Sequence, residues 1–246
     1  MAFNQATLAA EPTPLGQSYS PQRIFAPLGA SVLQAIESDI GVTQSAGLVS
    51  AWDDISGKQL PYSGSAKPAF VYNELNGLPI VKFSTGNELL TSALILAGPA
   101  VTLTFMYWCM RIDVWTAAGA ADLYFLPATG AGPAIVNDAV TPDIHMQSTT
   151  AANINSHATV GAWVRCYAKF NNSVADYLKV GAAAKVTGQS AGGIGGTFAQ
   201  QMGFGSGRTA KFSLANLCYA NAEPSAAVIS QMDAIVTAKY NGLVIV

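Results

Sequence analysis

The sequence predicts an all-β fold, namely a two-sheet antiparallel jelly-roll sandwich with one C-terminal α-helix and an extended N-terminal arm. Apolar stretches that alternate with period 2, as strands do, recur along the chain, for example at 101–108 and 163–170. Turn-forming pairs such as Asn76-Gly77 separate these stretches. Helical spacing of apolar residues is clearest near the C-terminus, between residues 224 and 240.

The predicted arm spans residues 1–28, and the predicted sandwich domain spans residues 29–246. Prolines exclude a continuous helix or a central strand in the arm, and they stand at Pro12, Pro14, Pro21 and Pro27. Its apolar residues are the predicted partner contacts, and they are Leu8, Leu15, Ile24 and Phe25. The residues alone leave two arrangements open, since the arm docks either on neighbouring subunits or as a strap on its own domain.

Two turn motifs frame the first strands. Residues 48–52 read as a short strand that stops at Asp53-Asp54, within the motif W-D-D-I-S-G of 52–57. After a polar loop, Asn76-Gly77 opens the stretch N-G-L-P-I-V-K-F, in which residues 80–83 alternate as a strand.

This order of motifs resembles the opening of concanavalin A-like (laminin-G-like) jelly-roll domains, the lectin/glucanase fold that is common in phage virion proteins. The central hairpin around Asn171-Asn172-Ser173 and the C-terminal stretch S-A-A-V-I-S-Q-M-D-A-I-V-T-A-K-Y-N-G-L resemble later parts of the same domains. The resemblance covers about residues 30–243. It also implies that residues 33–39 form a strand, although their apolar spacing would suit an amphipathic helix equally well.

The remaining elements follow from alternation and turn signals. Further strands are expected at 101–112, 122–126, 144–147, 163–170, 175–181, 202–205 and 211–219, the last with a bulge. The C-terminal helix is expected over 224–240, with Pro224 in its first turn and Asn241-Gly242 at its end.

Composition limits the classes of function. Charged residues make up only 11% of the 246 residues and hydrophobic residues 50%, whereas about 25% charged residues is usual. This low share of charged residues suits a surface covered by partner chains, and it equally suits an exposed surface that is mostly uncharged.

The net charge of −2 and the scattered basic residues argue against nucleic-acid binding. No apolar run is long enough to cross a membrane, and the N-terminus has no secretory signal.

The residues that could do chemistry form no known catalytic pattern. Glu37-Ser38-Asp39 is the nearest match to the alternating carboxylates of glycan-cleaving relatives, and it lacks their third member. The two histidines, His145 and His157, have no nucleophile motif beside them. Cys109, Cys166 and Cys218 lie in apolar stretches and are expected to be buried free thiols. The sequence therefore predicts no enzyme.

No cofactor is predicted, and calcium is the one metal considered. Lectin-like members of the resembled fold sometimes bind calcium through carboxylates and carbonyl oxygens of neighbouring loops. The candidate ligands here rest on composition alone, and they are Asp53, Asp54, Asn87 and Glu88. Aromatic residues that could stack on a sugar ring are Trp115 and Tyr177.

Three functions remain open. The first is a non-enzymatic virion structural protein, such as a capsid decoration or head/tail accessory subunit. It would be made in the host cytoplasm, would form a homo-oligomer, and would bind other virion proteins through its arm. The second is a glycan-binding module that adheres to a host-surface polysaccharide. The third is a glycan hydrolase.

Overall fold

The computed structural model describes residues 23–84, 88–95, 102–115, 123–124, 135–137, 143–146, 154–169, 175–188, 194–195, 197–204 and 211–240. Within them, the helices are a 3₁₀ helix at Ala26–Ser31 and α1 at Ala226–Lys239. The strands are β1 Val32–Glu37, β2 Val42–Ser45, β3 Leu48–Trp52, β4 Tyr62–Ser63, β5 Ala69–Leu75, β6 Leu78–Phe83, β7 Leu89–Ile95, β8 Thr102–Leu103, β9 Phe105–Val114, β10 Leu123–Tyr124, β11 Ile135–Asn137, β12 Asp143–Met146, β13 Ile154–His157, β14 Trp163–Lys169, β15 Asp176–Val180, β16 Val186–Gly188, β17 Ile194–Gly195, β18 Thr197–Phe204 and β19 Lys211–Ala220.

The strands form an antiparallel sandwich, as the sequence predicted. The main sheet runs in the order β10-β18-β7-β4-β3-β5-β6-β19-β9-β14-β15-β16. Trp52 and Met202 come from the first half of this path and Trp108 and Leu214 from the second half, yet all four side chains lie in one buried core. The sheet path therefore folds back on itself into two layers that face each other.

The segment 33–39, which fitted both a helix and a strand, contains a strand. β1 pairs antiparallel with β19, where Ala35 lies opposite Cys218. β19 also contains the expected bulge, since its register against β9 shifts between Leu214 and Asn216. Such a shift places one extra residue in one strand and bends it locally.

A second core lies on the outer face of the β9 layer. Trp108 and Met110 of β9 point into the first core, whereas Tyr107 and Cys109 point into the second. α1 covers this outer face with Met232, which is fully buried. Both faces of β9 are therefore buried, and this explains why its sequence is almost continuously apolar.

The helix α1 begins at Ala226, two residues later than the predicted start at Pro224. Ser225 is the N-cap, because its hydroxyl accepts a hydrogen bond of 3.3 Å from the Val228 N–H. Pro224 therefore precedes the cap and does not lie in the first helical turn, so that detail of the prediction was wrong. The expected end at Asn241-Gly242 lies outside the described residues. Within the described part of the chain, no helix is long and apolar enough to span a membrane.

The described end of the predicted arm packs on the domain itself. Ile24 and Phe25 are buried in the second core beside Tyr107, and the Phe25 and Tyr107 rings meet edge to face at 6.0 Å. Their side chains therefore leave no surface for the partner contact that the sequence suggested. The other two predicted arm contacts, Leu8 and Leu15, lie outside the described residues.

One buried ion pair joins this arm segment, the first strand and the helix. Glu37 of β1 is fully buried, and one carboxylate oxygen accepts a hydrogen bond of 3.1 Å from the Ile24 N–H. Its other oxygen pairs with the Lys239 ammonium of α1, which also binds Asp39 at 2.7 Å. Burial raises the pKa of Glu37, while the charge and hydrogen bond of Lys239 act in the opposite direction.

We expect Lys239→Met to lower the free energy of unfolding by about 3 kcal/mol at pH 7, because it leaves a buried carboxylate without its cation. The pKa of Glu37 should then rise further in the folded state. A raised folded-state pKa contributes stability that is lost as the pH rises through it. The loss should therefore shrink as the pH falls towards 4.5, the ordinary pKa of the group. Urea unfolding from pH 7 to pH 4.5 measures this dependence.

The matched controls are a compensating double variant and an exposed pair. Adding Glu37→Gln to Lys239→Met should recover most of the stability, since the neutral amide still accepts the Ile24 N–H. Lys169→Met breaks the more exposed pair with Glu223 and should change stability by about 1 kcal/mol or less. A loss for Lys239→Met that is the same at every pH would contradict this account.

The three thiols are free and buried, as expected from the sequence. Burial raises the pKa of Cys109 to about 12 and the pKa values of Cys166 and Cys218 well above the ordinary range. The native protein should therefore resist a thiol reagent such as DTNB at pH 8, whereas the protein in guanidinium should react at all three positions. Rapid reaction of the native protein would show that the core opens on the time scale of labelling.

Candidate functional site

One exposed aromatic side chain marks a candidate binding surface among the described residues. Five large hydrophobic side chains are exposed there, and they are Leu48, Leu60, Tyr72, Val114 and Val160. Tyr72, on β5, is the aromatic member of this set and has a relative exposure of 43%. An exposed aromatic ring removes little apolar surface from water in the isolated protein, so it gives the fold little stability and is available to a ligand.

Tyr72 lies at an irregularity in strand β5. The β5–β6 register shifts between Val71 and Leu75, so the residues between them do not follow the regular ladder. Asn73 lies within this interval and adopts φ +55°, which is uncommon for a residue other than glycine. Bulges of this kind redirect side chains and are frequent beside binding sites.

Two neighbours hold the Tyr72 ring in place. The Gln44 side-chain amide on β2 donates a hydrogen bond of 2.9 Å to the Tyr72 hydroxyl, and its carbonyl oxygen accepts one of 3.1 Å from the Gly47 N–H. The Phe70 ring meets the Tyr72 ring edge to face, with centroids 4.9 Å apart. Tyr72 is therefore oriented from two sides and loses little freedom on binding a ligand.

We call Gln44, Phe70, Tyr72 and Asn73 the Tyr72 patch. Its exposed members are the Tyr72 ring, the Gln44 amide that hydrogen-bonds to it, and Asn73, which follows Tyr72 in the strand. Amides both donate and accept hydrogen bonds. This combination suits a ligand that has one weakly polar face and a rim of hydroxyl groups, as a sugar ring does.

The two aromatic residues that the sequence proposed for glycan contact lie elsewhere. Tyr177 is 5% exposed, and its hydroxyl donates a hydrogen bond of 2.9 Å to Glu223. The Lys185 ammonium lies 4.0 Å from the centroid of its ring. Trp115 is half-buried and packs against the first core. Neither residue belongs to the Tyr72 patch.

The basic residues are less scattered than the sequence suggested. On and beside β14 and β15, four of them share the outer face of the sheet, and they are Arg165, Lys169, Lys179 and Lys185. Arg165 pairs with Asp233 of α1 at 3.1 Å and Lys169 with Glu223 at 2.9 Å. Burial and the charges of Arg165 and Lys185 lower the pKa of Lys179. Alternation along both strands was the sequence signal for this cluster.

Asp54, one of the four calcium candidates, has a structural role. The Asp54 carboxylate is already satisfied by hydrogen bonds of 2.8–3.0 Å from the N–H groups of Ala35, Ser56, Lys58 and Gln59, and by one of 2.7 Å from the Ser56 hydroxyl. It therefore organises the loop that follows β3.

The other three candidates give no more support to a calcium site. Asp53 is exposed, Glu88 accepts a hydrogen bond from the Ser84 N–H, and Asn87 lies outside the described residues. Among the side chains that the structure describes, no three His, Cys, Asp or Glu residues form a group that could hold a metal ion.

The two carboxylates that come nearest to a glycosidase motif in the sequence form structural ion pairs. Glu37 and Asp39 both bind Lys239, and Glu37 is fully buried. A glycosidase needs two carboxyl groups that flank the bond to be cleaved. The buried carboxylate of Glu37 has no access to a substrate, so Asp39, which is exposed, cannot form such a pair with it. His145 and His157 lie on β12 and β13, where the structure does not describe their side chains.

We expect Asp54→Ala to lower the free energy of unfolding by about 2–4 kcal/mol, because it leaves several N–H groups of the loop without an acceptor. The neighbouring Asp53→Ala should change it by about 0.5 kcal/mol or less, since that side chain is exposed. Urea unfolding of both variants makes the comparison. Equal losses would show that the hydrogen-bonded carboxylate does not support the loop.

Comparison with known proteins finds likeness in structure only. No protein-family model and no curated protein sequence matches the chain significantly. A GH54 α-L-arabinofuranosidase structure has a TM-score of 0.61 at 12% identity, covering 89% of this chain and 65% of that one. A structure of botulinum neurotoxin type C, a toxin whose cell entry is described as dependent on interaction with two ganglioside molecules, has a TM-score of 0.57 at 10% identity, covering 88% of this chain and 53% of that one.

A sialidase from Trypanosoma rangeli gives a similar result. Its TM-score is 0.56 at 12% identity, covering 94% of this chain and 37% of the sialidase. The fold is a jelly-roll β-sandwich. This chain spans about half to two thirds of the length of the first two structures and about a third of the sialidase. At these identities the likeness concerns the fold, and it gives no support to a virion role.

Proposed function

We propose that this chain is a non-enzymatic glycan-binding module of the concanavalin A-like kind, and that the Tyr72 patch contacts the sugar. The observation on which this depends is the exposed, hydrogen-bonded ring of Tyr72 at the β5 bulge. One sugar unit would stack on that ring and form hydrogen bonds with Gln44 and Asn73.

The structural neighbours support this proposal at the level of the fold. Their names concern gangliosides, a sialidase and an arabinofuranosidase, all of which involve sugars. Binding without cleavage is favoured here because Glu37 and Asp39 are held by Lys239. The virion role and the self-association stay predictions from the sequence. Of the predicted arm contacts, Ile24 and Phe25 are buried in the domain itself, and Leu8 and Leu15 lie outside the described residues.

A glycan array probed with the full chain, followed by titration of the best ligand, tests the proposal. We expect Tyr72→Ala to weaken binding by about tenfold or more, which corresponds to about 1.4 kcal/mol or more of lost stacking. Tyr72→Phe should retain most of the affinity if the ring face is what binds, because it removes only the hydroxyl.

Val160→Ala is the matched control, since it shortens another exposed hydrophobic side chain, one with 41% exposure. It should leave glycan binding unchanged. The unfolding curve of Val160→Ala should resemble that of the parent chain, because its side chain is exposed. Tyr72→Ala loses the contact with the Phe70 ring, which should lower the free energy of unfolding by only about 1 kcal/mol and leave the chain folded. An array without a bound glycan, or binding that is equal in Tyr72→Ala and the parent, would overturn the proposal.

A further inference from the structure

A separate cavity lies between the described end of the arm and the loop that follows β3. Its volume is about 270 Å³, close to the lower end of the range of about 300–1,000 Å³ for small-molecule sites. Phe25, Val32 and Ala35 contribute to its lining, and all three are buried members of the second core. This apolar part of the lining is set by core packing, so it should be firm in the absence of a ligand.

Two cations reach across the cavity from opposite walls. The Arg23 guanidinium, on the arm side, donates a hydrogen bond of 3.0 Å to the Ile55 carbonyl of the loop. The Lys58 ammonium, on the loop side, donates to the Ala30 carbonyl at 3.1 Å and to the Val32 carbonyl. The two side chains thus tie the two walls together through backbone oxygens.

Neither cation is neutralised by a carboxylate among the residues that the structure describes. The ion pairs found there involve other basic residues, namely Arg111, Arg165, Lys169 and Lys239. Asp54, close to Lys58 in sequence, directs its carboxylate to N–H groups and to the Ser56 hydroxyl. A guanidinium has five N–H donors and an ammonium three, so both Arg23 and Lys58 keep donors for another acceptor.

We propose that this cavity binds a small organic acid in its ionised form, with the carboxylate between Arg23 and Lys58 and a compact apolar body against Phe25, Val32 and Ala35. Charge-assisted hydrogen bonds from two cations favour an anion. The buried apolar lining favours a ligand that also carries an apolar group. The volume has room for a body of at least one ring, since a cavity of about 150 Å³ is enough to hold benzene. This proposal does not depend on glycan binding at the Tyr72 patch.

Three probes separate the two halves of the proposed ligand. Benzoate has the carboxylate and the ring, benzyl alcohol has the ring without the charge, and acetate has the charge without the ring. Calorimetric titration of the full chain at pH 7 should show saturable binding of benzoate. The affinities for benzyl alcohol and for acetate should each be at least about tenfold lower than the affinity for benzoate, because each of these probes lacks one set of contacts.

Variants then locate the site. Arg23→Gln and Lys58→Gln should each weaken benzoate binding about tenfold, whereas Lys185→Gln, which removes a distant exposed cation, should not. Ala26→Leu enlarges a side chain that lines the cavity and should weaken binding although both charges remain. This variant provides a test that does not depend on removing the two cations that join the walls.

Each outcome decides the proposal. Selective benzoate binding that is lost in Arg23→Gln, Lys58→Gln and Ala26→Leu, in chains whose circular dichroism matches the parent, would support it. No binding of benzoate, equal binding of benzyl alcohol, or unchanged affinity in Ala26→Leu would overturn it. Tyr72→Ala should leave benzoate binding intact, so the failure of either proposal can be recognised separately.

Discussion

The ion pair between Glu37 and Lys239 is the interaction on which the arrangement of the outer face depends. Glu37 lies at the end of the strand that borders β19, Lys239 in the last turn of α1, and Ile24 in the segment before the 3₁₀ helix. The carboxylate is completely buried, so each of its contacts replaces water that the fold has excluded. The positions of the helix and the arm segment are therefore coupled to one another through a single side chain.

This coupling explains where a ligand can bind. α1 and the arm segment cover the outer face of the β9 layer, and the facing layer covers its inner face. Both broad faces of that layer are thus occupied by the protein itself. Among the described residues, the β5 bulge around Tyr72 and the cavity beside Arg23 are two features at the margins that stay open to a ligand.

Much of the fold could be predicted from the sequence because apolar alternation and turn residues are local signals. β9, β14 and β15 alternate clearly, and Asn76-Gly77 has the positive φ values of a tight hairpin turn, 52° and 79°. β2 was missed, since Thr43, Gln44 and Ser45 are polar and exposed on an edge of the sheet. A strand that buries little apolar surface leaves little pattern in its sequence.

The candidate sites were harder to predict, because they depend on contacts between distant segments. Tyr72 precedes Asn73 and Glu74, and this polar sequence gives no sign of a bulge that exposes the ring. Tyr177 fitted a glycan contact by residue type, but Lys185 and Glu223 surround it. The cavity likewise requires Arg23 and Lys58 to meet from separate parts of the chain. Residue type identified candidate chemistry, while tertiary contacts decided which groups are accessible.

The separation of Glu37 and Lys239 in the chain has a consequence for biosynthesis. These two residues are 202 positions apart, so a nascent polypeptide presents the acid long before the ribosome delivers its cation. Until then the acid has to stay hydrated or protonated, and the first strand cannot take its final place beneath the helix. Folding of this face therefore waits until residue 239 has been translated, and chains that stop before it would leave the face uncovered.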